Sequence, residues 1–303
     1  MKLSLSNITK LIVATIISLN YAFLNVKAED NISVMQKLQA LESGTEGRIG
    51  IYAINTENGD FVDYRGDEIF PTGCTSKVIG VAAVLKKTMS DPTLLSKKIQ
   101  YSEKDLCTWS PVTEKHASEG MSVQELCAAA IVFSDNTAMN LLLKLIGGVQ
   151  GMTDFARSID DPAFRQDSDW PKEAYSGGKG NIEDSSTPKS MVESLRKIAL
   201  GNVLGNLQKQ LLIDWLKNCQ TGDARIRSGI PKGWLVGNKT GSGAVYGSTN
   251  DIAIVWPPEH APLLIGVYYT SDNRKAVKRE DIVSAATEII IDEFFKNDKK
   301  LKK

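Results

Sequence analysis

Apolar residues recur at helical spacing over residues 31–41, where Val34, Leu38 and Leu41 share one face and Gly44 follows as a stop. The period then shortens. Arg48 to Asn55 (RIGIYAIN) predicts a strand, Glu57-Asn58-Gly59-Asp60 a turn, and Phe61, Val62 and Tyr64 a second strand. Near the other end, Asp251–Trp256 (DIAIVW) and Leu263–Tyr269 (LLIGVYY) are apolar, β-branched runs of strand length. A helix over about residues 281–295 follows, and the lysine-rich end, Lys296–Lys303, reads as a solvated tail. The middle has the helical period instead, over residues 78–87, 123–133 and 137–146. Ser122-Val123-Gln124-Glu125 forms a capping box for the second of these, and Gly147-Gly148 stops the third. Residues 188–218 predict two more helices. The economical arrangement is an α/β domain built from residues 29–66 and 217–303, with a helical domain, residues 67–216, inserted between its halves. A site is expected in the cleft between them.

Composition narrows the function more than the fold. The chain has 303 residues, 42% of them hydrophobic and 24% charged, which is a globular profile and excludes collagen-like or disordered classes. Lys and Arg total 36 and Asp and Glu total 36, so no strong field draws nucleic acid to the whole molecule. Two histidines outside any HExxH pattern, and four cysteines without a CxxC pair, give no reason to expect a metal. Residues 1–28 read as a signal peptide: Lys2 and Lys10 precede an apolar run from Leu11 to Leu24, and Val26-Lys27-Ala28 suits cleavage. That run falls short of the roughly 20 residues a membrane span needs. No Cys follows it, so no lipid anchor is indicated. A chain exported to the periplasm or beyond, slightly acidic after cleavage and without a stable membrane anchor, is the expectation.

Three short motifs then stand in order. Cys74-Thr75-Ser76-Lys77 opens a helix, where unpaired backbone N–H groups and a lysine one turn on lower a nucleophile's pKa. Ser134-Asp135-Asn136 sits at the junction of two apolar helices. Lys239-Thr240-Gly241 follows the strand residues Leu235 and Val236, and its glycine lets a ligand approach the backbone. Singly, each has a plain alternative: a solvated lysine, a helix cap, an edge-strand charge. Together, on helix, interhelical loop and strand, they form the nucleophile-x-x-K, S-D-N and K-T-G set of penicillin-recognising acyl-transfer enzymes.

With these motifs the chain resembles the class A β-lactamases over nearly all of the mature sequence. Further matches are Trp109-Ser110-Pro111-Val112-Thr113-Glu114-Lys115, Asp184-Ser185-Ser186-Thr187-Pro188, Gly222-Asp223-Ala224-Arg225-Ile226-Arg227 and Tyr246-Gly247-Ser248-Thr249-Asn250-Asp251. They look most like the branch that contains carbapenem-hydrolysing members. The resemblance implies a two-domain α+β (α/β) fold, an antiparallel sheet flanked by helices plus an inserted all-helical domain. It also implies a monomer acting on a small-molecule β-lactam without metal or organic cofactor. Carried over residue by residue, Lys77 becomes the acylation base, Ser134 the shuttle to the leaving nitrogen, and Asn136 a ligand of the substrate's side-chain amide. Lys239 and Thr240 hold the substrate carboxylate, with Arg225; Trp109 walls the cleft; backbone N–H groups of Cys74 and Ser242 make the oxyanion hole.

The chain departs from that pattern twice. The family nucleophile is Ser, and here it is Cys74, which is chemically competent when ionised. The family also places a Glu directly after a Trp to activate the hydrolytic water. Here Trp170 is followed by Pro171-Lys172-Glu173, so Asp169 and Glu173 are both candidates for the deacylation base and neither keeps the spacing. The resemblance thus leaves three outcomes open: a hydrolase acting through a Cys74 acyl-enzyme, a covalent β-lactam binder that stalls, or a non-catalytic relative. Fast acylation followed by slow deacylation is the expectation.

Overall fold

In the computed structural model residues 33–302 are described; the signal-peptide reading of residues 1–28 lies outside the described residues. Helix α1, Val34–Ser43, starts at Ser33, whose hydroxyl accepts from the Gln36 N–H while the Gln36 side chain returns to the Ser33 N–H. Strands β1, Gly47–Asn55, and β2, Phe61–Tyr64, form the expected hairpin. A two-residue strand β3, Phe70–Pro71, leads into a 3₁₀ turn, Gly73–Ser76, and helix α2, Lys77–Thr88. Short strands β4, Lys98–Ile99, and β5, Met121–Ser122, precede helices α3, Val123–Val132, α4, Asn136–Ile146, and α5, Gly148–Ser158. After strand β6, Ser185–Ser186, come helices α6, Pro188–Ala199, and α7, Asn206–Lys217. Strands β7, Leu235–Ser242, β8, Thr249–Trp256, and β9, Leu263–Ser271, and helix α8, Glu280–Asn297, close the chain.

The main sheet has five antiparallel strands in the order β2-β1-β9-β8-β7. Its two sequence-distant halves therefore meet at the β1–β9 pair, with Ile51 opposite Val267 and Gly47 opposite Ser271. Both faces are covered. Along β8 and β9, Ile252, Ile254, Leu264 and Tyr268 face the core shared with the helical block, while Ala253, Val255, Leu263, Ile265, Val267 and Tyr269 face the core under α1 and α8. Double-sided burial explains why these strands read as continuous apolar runs rather than as alternating ones.

Two features differ from the pattern reading. Helix α5 is not legible in the sequence, because glycines at its first and fourth positions lower helix propensity and Gly147-Gly148 signals a stop. Gly147 does cap α4, at φ 90°, but the chain turns straight into the next helix. The lysine-rich end is also not wholly solvated: Leu301 lies in a 3₁₀ turn and is buried in the core under α1 and α8.

Candidate active site

The nucleophile turn is positioned by a close backbone approach. Gly73 has φ 52°, and a Cβ there would lie 2.9 Å from the Ser242 nitrogen. Only glycine lets the end of β7 reach the turn that carries Cys74. Asn250 of β8 fixes the same turn, donating to the carbonyls of Pro71 and Thr72 at 2.7 and 3.1 Å. Thr75 adds a bond to the Thr72 carbonyl at 2.7 Å.

Ser134 lies between α3 and α4 at φ 59°, a left-handed conformation that costs a non-glycine residue about 1–3 kcal/mol. It directs both oxygens of Ser134 at lysines. Lys77 Nζ donates to the Ser134 carbonyl at 2.7 Å and to Asn136 Oδ1 at 2.6 Å, and reaches Ser134 Oγ at 3.4 Å. Lys239 Nζ donates to Ser134 Oγ at 2.9 Å and to the Thr240 carbonyl at 3.0 Å. Both lysines are fully buried. Burial raises the Cys74 thiol pKa, but the Lys77 and Lys239 charges and bonds from Ser134 and Lys77 outweigh it and bring it down to about 7.

Asp135 holds the loop. It is fully buried and caps α4 by accepting from the Ala138 N–H at 2.8 Å, while it also accepts from the N–H groups of Val112 and Thr113 at 3.0 and 2.9 Å. Asp135→Ala would strand these donors, and is expected to cost about 2–4 kcal/mol. A fall in the midpoint of urea unfolding is the measurement; an unchanged midpoint would contradict this role.

The loop between α5 and β6 delivers a carboxylate. Glu173 sits in a 3₁₀ turn, Lys172–Tyr175, is 2% exposed, and accepts from Cys74 Sγ at 3.6 Å through Oε1. Its pKa is pushed well above the ordinary carboxylate range by burial and by the charge of Cys74. Asp169 is placed elsewhere, half-exposed and paired with Lys172 at 3.2 Å, on a separate surface pocket. Of the two candidates left open by sequence, only Glu173 reaches Cys74.

These groups line a cleft of about 330 Å³ whose surface includes Cys74, Ser134, Asn136, Glu173, Thr240 and Ser242. Trp109 stands exposed on its rim, its indole N–H donating to the Phe133 carbonyl at 3.0 Å. Arg225 reaches the cleft differently from the expectation. Its guanidinium is occupied by the Gly241 and Asn250 carbonyls at 2.9 and 2.8 Å, Ser242 Oγ at 2.7 Å and Glu280 at 3.0 Å. It therefore orients the Ser242 hydroxyl instead of presenting a free fork. Lys239, behind Ser134, is not part of the cleft surface, whereas Arg225, Thr240 and Ser242 are.

A profile of the β-lactamase enzyme family matches residues 33–294. The chain belongs to that family. It is similar to a β-lactamase of Proteus vulgaris, 46% identical over 264 residues that cover 87% of this chain and 97% of the relative. β-Lactamase OXY-2 of Klebsiella oxytoca is 45% identical over 258 residues, covering 85% of this chain and 88% of its own. Among solved structures, a β-lactamase from Desulfarculus baarsii DSM 2075 superposes with a TM-score of 0.84 at 40% identity, covering 86% of this chain and 97% of that one. As a member of this family the protein is a hydrolase acting on a cyclic amide.

Three residues support the site in roles that the sequence reading did not assign. Asn140, on α4, donates to the Trp170 carbonyl at 2.7 Å and accepts from the Trp170 N–H at 3.0 Å. Asp184 is fully buried and accepts from the N–H groups of Asp167 and Ser168, both at 2.8 Å, and from Ser176 Oγ at 2.6 Å. Trp170 is itself buried beside Lys77, whose Nζ lies 5.1 Å from the ring centroid. One signal is present in the sequence: Asn140 lies one turn beyond Asn136, on the same face, in a helix with only Thr137 and Lys144 as further polar residues.

Proposed function

We propose that the protein opens β-lactam rings through a covalent acyl-enzyme on Cys74, with Glu173 as the base for its hydrolysis. The contact of Cys74 Sγ with Glu173 Oε1 carries this reading, because it puts a carboxylate within reach of a water attacking a Cys74 acyl group. In the first half-reaction the Cys74 thiolate attacks the lactam carbonyl, and the oxyanion is held by the N–H groups of Cys74 and Ser242. The C–N bond breaks, the nitrogen takes the Ser134 hydroxyl proton, and Lys77 returns a proton to Ser134 across their 3.4 Å contact. Thr240 and Ser242 meet the substrate carboxylate, with the Lys239 and Arg225 charges behind them, while Asn136 and Trp109 hold the side chain. Lys77 thus serves more by charge and proton delivery than by taking a proton from sulfur.

Acylation also prepares the second half-reaction. Once Cys74 is a thioester its negative charge is gone, so one cause of the raised Glu173 pKa disappears and the carboxylate ionises more readily. Glu173 takes a proton from water, the water oxygen bonds the carbonyl carbon, and the thiolate leaves without needing protonation. The proton on Glu173 returns to Lys77. A carboxylate against Cys74 favours turnover over the stalled outcome. Export through residues 1–28 and action as a monomer complete the reading.

Intact-mass spectrometry after mixing with a penicillin tests it. The protein should gain the full mass of the penicillin and lose it again as product accumulates, and Cys74→Ala should gain nothing. An adduct that persists for hours would make the protein a covalent binder. No adduct and no turnover at any concentration would end the reading.

A further inference from the structure

Glu173 shares its buried space with a second side chain that carries an unused polar atom. Trp170 and Glu173 are each 2% exposed. Trp170 Nε1, a donor only, and Glu173 Oε2, an acceptor when ionised, both lack a hydrogen-bond partner. Buried polar atoms are nearly always paired, so two orphans of opposite kind on one short loop need a reason.

Their surroundings are fixed. Asn140 grips both backbone groups of Trp170, at 2.7 and 3.0 Å, and Lys77 Nζ lies 5.1 Å from the indole ring centroid. Glu173 is held by the Cys74 contact through Oε1, which leaves Oε2 free. Burial and Cys74 push the Glu173 pKa upward, while Lys77 and the nearby indole N–H pull it down. The charged groups facing the carboxylate are thus Cys74 from the nucleophile turn and Lys77 from α2.

We propose that Trp170 is a positioning residue for deacylation, its indole N–H and Glu173 Oε2 holding the attacking water between them. The inference rests on Glu173 being the base. The water accepts a hydrogen bond from Trp170 Nε1 and gives its proton to Glu173 Oε2. Its oxygen bonds the thioester carbon, and the C–S bond breaks with the electron pair on Cys74 Sγ. Trp170 gives up no proton; it orients the lone pair that attacks.

The test separates the two half-reactions by rapid-quench intact mass with a penicillin, across pH, for the unmodified protein, Trp170→Phe, Trp170→His and Glu173→Gln. Trp170→Phe keeps an aromatic ring over Lys77 and removes the N–H. It should acylate within about twofold of the unmodified rate and deacylate about tenfold more slowly. Removing the indole N–H, one of the groups that pull the Glu173 pKa down, should also move the acid limb of deacylation to higher pH. Trp170→His, which restores a ring N–H, should recover part of the loss. A merely structural role would slow both half-reactions, move no limb, and leave both substitutions equally impaired. Unchanged deacylation in Trp170→Phe, or equal loss in the Phe and His variants, overturns the inference while a stalled Glu173→Gln leaves the base in place. Deacylation of Glu173→Gln at the unmodified rate overturns both.

Discussion

Glu173→Gln is expected to leave a protein that acylates once and stops. Gln is nearly isosteric, so the packing of the Lys172–Tyr175 turn should survive, but the amide cannot take a proton from water. General-base assistance contributes about 10²–10⁴-fold, and deacylation should fall by that factor. A thioester is more open to attack than an ester, which places the loss toward the lower end. Acylation should change far less, because the thiolate is made by the Lys77 and Lys239 charges and not by the carboxylate. The measurement is a time course of the acyl adduct: near-complete occupancy of Cys74 after one burst, then slow decay. Asp169→Asn is the control and should turn over normally, since Asp169 pairs with Lys172 outside the cleft. Normal turnover in Glu173→Gln would show that another group activates the water.

The second large effect belongs to Lys77. Acylation of the unmodified protein should rise with pH through about 7, where the Cys74 thiol ionises. Lys77 is the largest of the groups that lower that pKa, so Lys77→Ala should shift the limb upward, toward the ordinary thiol value of about 8.5. At neutral pH two losses then combine. Less thiolate is present, and Ser134 loses the group that restores its proton. The acylation rate should fall by about 10²–10⁴-fold. Alkylation of Cys74 by iodoacetamide against pH isolates the first loss from substrate chemistry. A limb that stays near 7 in Lys77→Ala would mean that Lys239 alone holds the thiolate.

Much of this site is legible in the order of residues along the chain. Cys74, the Ser134 loop and the Lys239 strand each sit beside a periodic element, and a residue next to a helix start or on a strand inherits its direction from that element. The strand runs of β1, β8 and β9 are legible for the same reason: apolar residues in them must be buried whatever covers them. The resemblance to class A enzymes joins these pieces, and the family match over residues 33–294 bears that out.

What the sequence could not decide lies where no period operates. Residues 165–184 form a loop whose only regular element is one 3₁₀ turn, and the direction of its carboxylates follows from distant bonds: Asn140 on Trp170, Asp184 on residues 167 and 168, and the Ala244 N–H on the Ala174 carbonyl at 2.7 Å. Those bonds turn Glu173 inward and leave Asp169 to solvent, although the two differ little as sequence. Arg225 shows the same limit. Its charge is plain, but only the packed end of β7 against Glu280 decides that its donors are consumed by the protein. The sequence by itself determined most of the elements, and its motifs marked Cys74 with Lys77 and Lys239 as candidates, because periodicity and motif order are local properties of the chain. Which carboxylate lies against Cys74 was decided by tertiary structure alone, because the hydrogen bonds that aim a non-periodic loop come from residues far away in the chain.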